Sequence, residues 1–259
     1  MAIQITGRKI ESDNEVFVNR DDQVYAFPRQ ISPFQTNARI NPDEYALVQE
    51  GNFPNYQSDL AISMNRGFGR FNHIDAHREV LKNGLKVPTL PVFLSNYRYV
   101  NEALQGRTVL YDASGSPIEG ERLKEYANTL NYNCWSRINA MFPKEQEKDT
   151  GFLGLDLAVI IGLDPEGEPI FSREPLEKCL EEVCWADLES ANSQGFPTKE
   201  SEIREYLPGK VIRFWYPREG AVAGFVAFSA GVNFRCGRSP QYSDSALGVF
   251  SCAEGAQNS

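Results

Sequence analysis

The sequence predicts an α+β protein whose sheet is mainly antiparallel and forms late in the chain. Apolar residues recur at three- and four-residue spacing from about residue 119 to 142, which predicts one long helix. Strand-like apolar runs follow at residues 154–163 and 210–216. The tract 218–257 then alternates apolar with polar residues, as a half-buried sheet does. Helices early and strands late favour the α+β class.

The first part of the chain has little periodicity. Residues 1–70 are rich in Asn, Asp, Gln, Arg and Pro, and only residues 15–18 and 24–27 form short strand-like runs. We interpret this segment as an irregular N-terminal extension that packs on the main domain or on a partner. Gly67 begins a glycine-rich joint, so we place the domain boundary there and predict one domain over residues 71–259.

Helix and turn signals organise the next stretch. Residues 73–84 have helical spacing, and Gly84 suits the position just past the helix end. Ser95 is a natural N-cap for a second helix. A strand then runs into a turn within residues 108–117, and Gly115 supplies the positive φ at its tip.

Further elements are predicted on both sides of the apolar run at 154–163. The long helix ends at Pro143, and Cys134 lies on its apolar stripe as a small buried residue. A polar turn at residues 164–169 leads into another strand. Pro175 suits the first turn of a short helix that follows.

Bulk properties exclude several classes of partner. The chain has 259 residues, a formal net charge of −9 and a pI near 4.9, which argues against nucleic-acid and anionic-membrane surfaces. Neither a signal peptide nor a membrane span is apparent in the sequence. The localisation stays open, with a cell surface or a virion reached by an unrecognised route among the possibilities.

The sequence predicts no metal, no cofactor and no catalytic centre. His73 and His77 share a helical face, but two ligands without a third make a poor metal site. The five cysteines form no CxxC pair, and the odd count gives no complete disulfide framework. The disulfide state of four of them stays open: Cys179, Cys184, Cys236 and Cys252. A phosphate-binding glycine loop and a Gly-x-Ser-x-Gly elbow are both missing from the sequence.

The C-terminal tract predicts a hairpin with two unlike faces. With a two-residue turn at Ala230 and Gly231, Phe228 faces Asn233 and Val226 faces Arg235. Alternation then gives an apolar core face with Phe225, Ala227, Phe234 and Cys236. The opposite face mixes an aromatic, an aliphatic, an amide and a cation, which is typical of a recognition surface. The loop at residues 237–245 adds Tyr, Ser, Gly and Arg, which binding loops prefer. The alternative is an ordinary edge hairpin with a Ser-rich loop.

This tract resembles the variable region of proteins that are diversified by retroelements. The closing Leu247-Gly-Val-Phe and Cys252-Ala-Glu-Gly carry the likeness, together with Gly162-Leu-Asp-Pro, Cys184-Trp-Ala-Asp-Leu and Gln194-Gly-Phe-Pro upstream. In such systems a reverse transcriptase that mutates adenines rewrites chosen codons near the 3′ end of a target gene. The archaeal variable proteins with a C-type lectin fold look most similar, from an archaeon or an archaeal virus.

The resemblance implies a C-type lectin fold, a variable region at about residues 222–250, and hypervariable side chains that point outward and bind a ligand. Every implied position holds a residue type that can be reached from an asparagine codon by changing adenines. Glutamine cannot be reached in this way, so Gln241 is not among the implied positions. The implied positions are Val226, Phe228, Ala230, Gly231, Asn233, Arg235, Gly237, Arg238, Ser239, Tyr242 and Asp244.

The implied function is protein–protein recognition, and the chain is not expected to be an enzyme. The ligand is expected to be a macromolecule, in the first place a cell-surface protein, and neither a nucleic acid nor a sugar held by calcium. One alternative is a cysteine oxidoreductase of the formylglycine-generating type, although the Arg-Gly-Gly-Ser-Trp signature of those enzymes is missing from the sequence. Another is a structural component of a surface or virion.

Overall fold

The computed structural model describes residues 14–18, 24–28, 31–48, 53, 55–132, 134–144, 151–228 and 231–256. Its helices are α1 (His73–Lys82), α2 (Leu90–Leu104) and α3 (Gly120–Tyr132). Its strands are β1 (Asn14–Val18), β2 (Val24–Pro28), β3 (Tyr45–Val48), β4 (Leu60–Ser63), β5 (Leu110–Tyr111), β6 (Pro117–Ile118), β7 (Cys134–Phe142), β8 (Asp156–Leu163), β9 (Pro169–Pro175), β10 (Cys184–Asp187), β11 (Val211–Trp215), β12 (Ala221–Phe228), β13 (Gly231–Arg238) and β14 (Cys252–Glu254).

Seven strands form the large sheet, in the order β10-β11-β13-β12-β7-β8-β9. Every neighbouring pair in it is antiparallel except β11 and β13, which run parallel. The hairpin β12–β13 therefore lies inside the sheet, with β7 on one side and β11 on the other. The prediction of an α+β protein with a mainly antiparallel sheet is confirmed.

The core lies on one face of this sheet, where aromatic side chains pack against α2. The ring centroid of Phe225 is 4.8 Å from that of Phe93 and 5.0 Å from that of Tyr97. On the neighbouring strand, Phe234 packs against Phe214 at 5.5 Å. All five rings are fully buried, and such burial is the main favourable contribution to folding.

A smaller sheet combines two early strands of the chain with the last one. Its order is β14-β4-β3, so strands from the first seventy residues pair with a strand close to the C-terminus. Leu47 and Ala61 of this sheet belong to a buried cluster that includes Val80 of α1 and Val249. The predicted domain boundary near Gly67 stays a prediction.

The long helix predicted over residues 119–142 is wrong in its second half. The helix α3 ends at Tyr132, and Cys134–Phe142 form the strand β7. Seven of the nine side chains of β7 are buried, because β12 and β8 flank this strand and both faces are covered. A strand that is buried on both faces has no polar face to mark a period of two, so its apolar residues continued the helical pattern. Cys134 is buried, as predicted.

The second predicted helix is present but begins earlier than predicted, and one further helix prediction is wrong. The helix α2 begins at Leu90 with Thr89 as N-cap, not at Ser95, and Pro91 occupies its first turn. The short helix predicted at Pro175 is not formed, because that residue ends β9 and residues 176–183 are irregular. Local capping and proline signals fit more than one start in both places.

The other local predictions agree with the described residues. The helix α1 and the positive φ of Gly84 are where the sequence placed them. The strands β5 and β6 flank the predicted turn, with Gly115 at a φ of 88°. The two N-terminal runs pair as the hairpin β1–β2.

Candidate ligand-binding surface

The hairpin β12–β13 turns one residue earlier than predicted. Phe228 pairs with Gly231, so residues 229 and 230 lie between the strands, and Val226 pairs with Asn233. The predicted pairing of Phe228 with Asn233 is therefore wrong. A turn that moves by one residue shifts the register by two, and a shift of two keeps every side chain on its predicted face. Ala230 lies outside the described residues.

The outer face of the hairpin has a buried floor. Val226 is 1% exposed and Asn233 is 9% exposed, so both lie on the predicted face but are covered by their neighbours, and their part in ligand binding stays a prediction. Val226 lies across from Asn233 on one side and from Trp135 of β7 on the other. The indole Nε1 of Trp215 donates a 3.1 Å hydrogen bond to Oδ1 of Asn233. Two tryptophans on the flanking strands thus enclose the middle of this face.

Gly231 is a buried position whose backbone requires glycine. Its φ is 119°, and a Cβ built there would lie 3.0 Å from the Cβ of Tyr206. Among the positions implied to vary, Gly231 is therefore one that the fold constrains. A side chain there would have to displace Tyr206 and hold a strained backbone.

Gly231→Ala is expected to lower the free energy of unfolding by about 1–3 kcal/mol, because alanine is strained at this φ. The measurement is urea denaturation followed by circular dichroism. Gly237→Ala is the matched control on the same strand, since its Cβ would meet the Arg218 side chain at an ordinary 3.4 Å. Equal losses in the two variants would contradict the prediction.

The exposed part of the surface consists of aromatic and cationic side chains. Phe228 is 36% exposed at the end of β12, and Arg235 is half-buried on β13. The Arg235 guanidinium carbon lies 5.2 Å from the ring centroid of Trp215. The Arg238 guanidinium lies between two rings, 5.2 Å from that of Trp135 and 5.2 Å from that of Tyr242. These distances are within the range of cation–π attraction, which orients both guanidinium groups.

The loop after β13 is held by backbone contacts to distant parts of the chain. Arg137 donates to the carbonyl oxygens of Leu247 (3.1 Å) and Phe71. Arg66 donates to the carbonyl oxygen of Ala246 at 2.6 Å, and the His73 N–H donates to that of Pro240 at 2.9 Å. Two arginine side chains and one backbone N–H thus fix the loop to β7, to the segment before α1 and to α1 itself.

Two side chains of the loop interact with each other. The Tyr242 hydroxyl donates a 3.0 Å hydrogen bond to Oδ2 of Asp244. The Ala246 N–H donates to the other carboxylate oxygen at 2.8 Å, and these bonds together lower the pKa of Asp244. Tyr242 is 40% exposed, while Asp244 is half-buried. The remaining predicted positions of this loop region, Gly237 and Ser239, are exposed.

A cleft of about 190 Å³ opens on this surface between β11 and β13. Its walls include the predicted positions Arg235, Gly237 and Arg238, and also residues that the sequence did not indicate as functional. The full lining is Val183, Trp215, Tyr216, Arg218, Arg235, Gly237 and Arg238. The aromatic run Phe214-Trp-Tyr before Pro217 is the sequence signal for this wall, but its pattern predicts only the end of a strand.

All five cysteines are free and buried. Burial raises the pKa of Cys134 to about 12 and that of Cys179 to about 12, and it raises the pKa of Cys236 well above its usual range. Since the thiolate is the reactive form, these thiols are poorly suited to nucleophilic or oxidative chemistry. None of the four cysteines whose disulfide state the sequence leaves open forms a disulfide.

Within the described ranges, no group of three or more His, Cys, Asp or Glu residues is placed to hold a metal ion. The helices of the described part include none with the length and apolar character of a membrane span. Comparison with protein-family models, with curated proteins and with solved structures finds no match to this chain.

Proposed function

We propose that this chain is a ligand-binding variable protein of the retroelement-diversified type, with a C-type lectin fold. Its diversified C-terminal surface recognises changing targets, which we expect to be proteins on a cell surface. The large, mainly antiparallel sheet with α2 and α3 packed against it supports the fold assignment. No enzyme activity is part of the proposal.

One observation carries the proposal: adjacent residues of a single hairpin are divided between a rigid core and a chemically mixed surface. Phe225 and Phe234 are fully buried against other aromatic rings, whereas Arg235 and Phe228 reach solvent on the opposite side. Changing the second set leaves the packing of the first set intact. A scaffold that must tolerate many surface sequences needs this separation.

The burial pattern sharpens which positions can contribute contact area. The positions with solvent access on the described surface are Phe228, Arg235, Gly237, Arg238, Ser239, Tyr242 and Asp244. Val226 and Asn233 form the floor, so changes there act on the shape and polarity beneath the contact residues. Large aromatic and arginine side chains in such a surface are typical of the residues that dominate binding energy.

The buried thiols weigh against the alternative of a cysteine oxidoreductase. Cys236 is fully buried on the core face of β13, and Cys252 is 1% exposed in β14. A substrate would reach either sulfur only if the sheet that contains it opened. A structural component of a surface or virion stays a second alternative, which the allele comparison below separates from a variable binder.

Sequencing of alleles tests the proposal directly. Substitutions are expected at Phe228, Arg235, Arg238 and Tyr242, in codons derived from adenines, with Phe225 constant as the matched core control. A near-repeat of the 3′ coding sequence is expected beside a reverse transcriptase gene. Alleles that are invariant in this region, or that vary equally at surface and core codons, would contradict the proposal.

A further inference from the structure

Positive charge is concentrated in the cleft between β11 and β13, although the chain as a whole carries a formal net charge of −9. Arg218, Arg235 and Arg238 all line it. None of the three forms an ion pair with a carboxylate in the described part of the chain. Asp244 is the acidic group whose charge acts on Arg238, and it is already bound by Tyr242 and the Ala246 N–H.

Two guanidinium nitrogens at this cleft are buried and lack a partner. Nε of Arg235 and Nη1 of Arg238 have no hydrogen-bond acceptor among the described residues. A buried donor without an acceptor costs free energy, and a charged one costs more than a neutral one. Burial and the charge of Arg235 together lower the pKa of Arg238, as expected where cations are crowded and unpaired.

Aromatic rings hold the arginines in place and leave their edges available. The Arg218 guanidinium carbon is 5.3 Å from the ring centroid of Tyr216, and Arg235 lies against Trp215. A guanidinium held against a ring by its face can still donate two parallel hydrogen bonds from its edge. That edge matches the planar fork of a carboxylate.

We propose that this cleft binds the carboxylate of an acidic side chain presented by the protein ligand, an assignment that rests on the proposed function. The carboxylate accepts hydrogen bonds from the edges of the Arg235 and Arg238 guanidinium groups that line the cleft. Trp215 and Tyr216 then contact the aliphatic part of the same side chain. The fixed aromatic platform belongs to the scaffold, whereas the two arginines occupy positions implied to vary.

The test uses N-acetyl-glutamic acid N-methylamide (capped glutamate) as the probe and ¹⁵N-labelled full chain as the target. Capped glutamate is expected to shift the Trp215 indole N–H resonance saturably, with a dissociation constant on the order of millimolar, and added salt is expected to weaken it. Capped glutamine is expected to produce no saturable shift. The double variant that combines Arg235→Gln and Arg238→Gln is expected to raise the dissociation constant for capped glutamate at least about tenfold.

Arg213→Gln is the matched control, because that guanidinium lies over Trp185 at 5.6 Å and does not line the cleft. It is expected to bind capped glutamate like the wild type. The melting temperature of the double glutamine variant is measured beside its affinity, so that unfolding is not mistaken for weaker binding.

Further outcomes would overturn the inference: no saturable shift with capped glutamate, or unchanged affinity in the double variant. A higher affinity for capped phosphoserine than for capped glutamate would show that the cleft prefers phosphate, which would overturn the assignment to a carboxylate. The probe needs no natural ligand, so these failures leave the allele test of the proposed function untouched. Conversely, invariant alleles combined with a saturable response to capped glutamate would contradict the proposal of a variable protein but would still support an anion-binding site in the cleft.

Discussion

Phe234→Ala is expected to lower the free energy of unfolding by about 3–5 kcal/mol, the range of large-to-small changes in a close-packed core. The Phe234 ring is fully buried, packs on Phe214 at 5.5 Å and stacks on Phe196 at 6.0 Å. Removing it leaves a cavity that the flanking strands β11 and β12 cannot close without distorting the sheet. Guanidinium denaturation of both proteins at one pH gives the difference.

Phe228→Ala is the control for that experiment. It makes the same chemical change on the other face of the hairpin, where the ring is 36% exposed. The expected loss is under about 1 kcal/mol, as for most surface substitutions. If Phe228→Ala destabilises the chain as much as Phe234→Ala, then the core and surface faces of this hairpin are not divided as the structure divides them.

The assignment of side chains to these two faces could be predicted from the sequence, because alternation along a strand is a local property. Ala227 and Phe225 point to the core whether the turn lies at residues 230–231 or at 229–230, since the two registers differ by two residues. The turn position does not follow from alternation, because a glycine such as Gly231 suits either a turn or the first residue of a strand.

The burial of Val226 could not be predicted from local pattern. A hairpin at the edge of a sheet exposes its outer face, and the tract alone contains nothing that distinguishes an edge from a central position. In the structure β7 and β11 flank the hairpin and bring Trp135 and Trp215 beside it. Exposure of a residue in a sheet depends on its neighbours, which the topology supplies.

The walls of the cleft could likewise be predicted only in part from local sequence pattern. Its walls come from strands that are separated in sequence and run parallel, with Trp215 across from Arg235. The arginines of β13 could be predicted as surface residues, and they are among the implied positions. The aromatic residues of β11 could not be connected to them, because no local pattern in the sequence shows which strand lies next to β13.

A buried histidine pair lies under the loop that follows β13. His73 and His77 of α1 have ring centroids 4.7 Å apart, and neither ring nitrogen of His73 has a hydrogen-bond partner among the described residues. Burial and the charge of Arg137 lower the pKa of His73 to about 3. Burial, with His73 and Arg137, lowers the pKa of His77 as well. Both rings are therefore neutral in the folded chain at neutral pH.

Lowering the pH from 7 to 5 is expected to destabilise the fold through these histidines. In the unfolded chain the histidine side chain is protonated near pH 6.5, whereas in the folded chain His73 is protonated only near pH 3. The stability is thus fully present above pH 6.5 and is lost as the pH falls toward 3. His73 contributes a loss of about 2 kcal/mol between pH 7 and 5, and His77 acts in the same direction.

Urea denaturation at pH 7, 6 and 5 measures this loss, with His73→Leu as the comparison. Each protein is referred to its own value at pH 7, so the change in packing caused by the substitution cancels. Because carboxylates titrate alike in both chains, the variant is expected to lose about 2 kcal/mol less than the wild type over this range. Parallel curves for the two proteins would show that His73 accepts a proton in the folded state, which would mean that water or an acidic group reaches its ring.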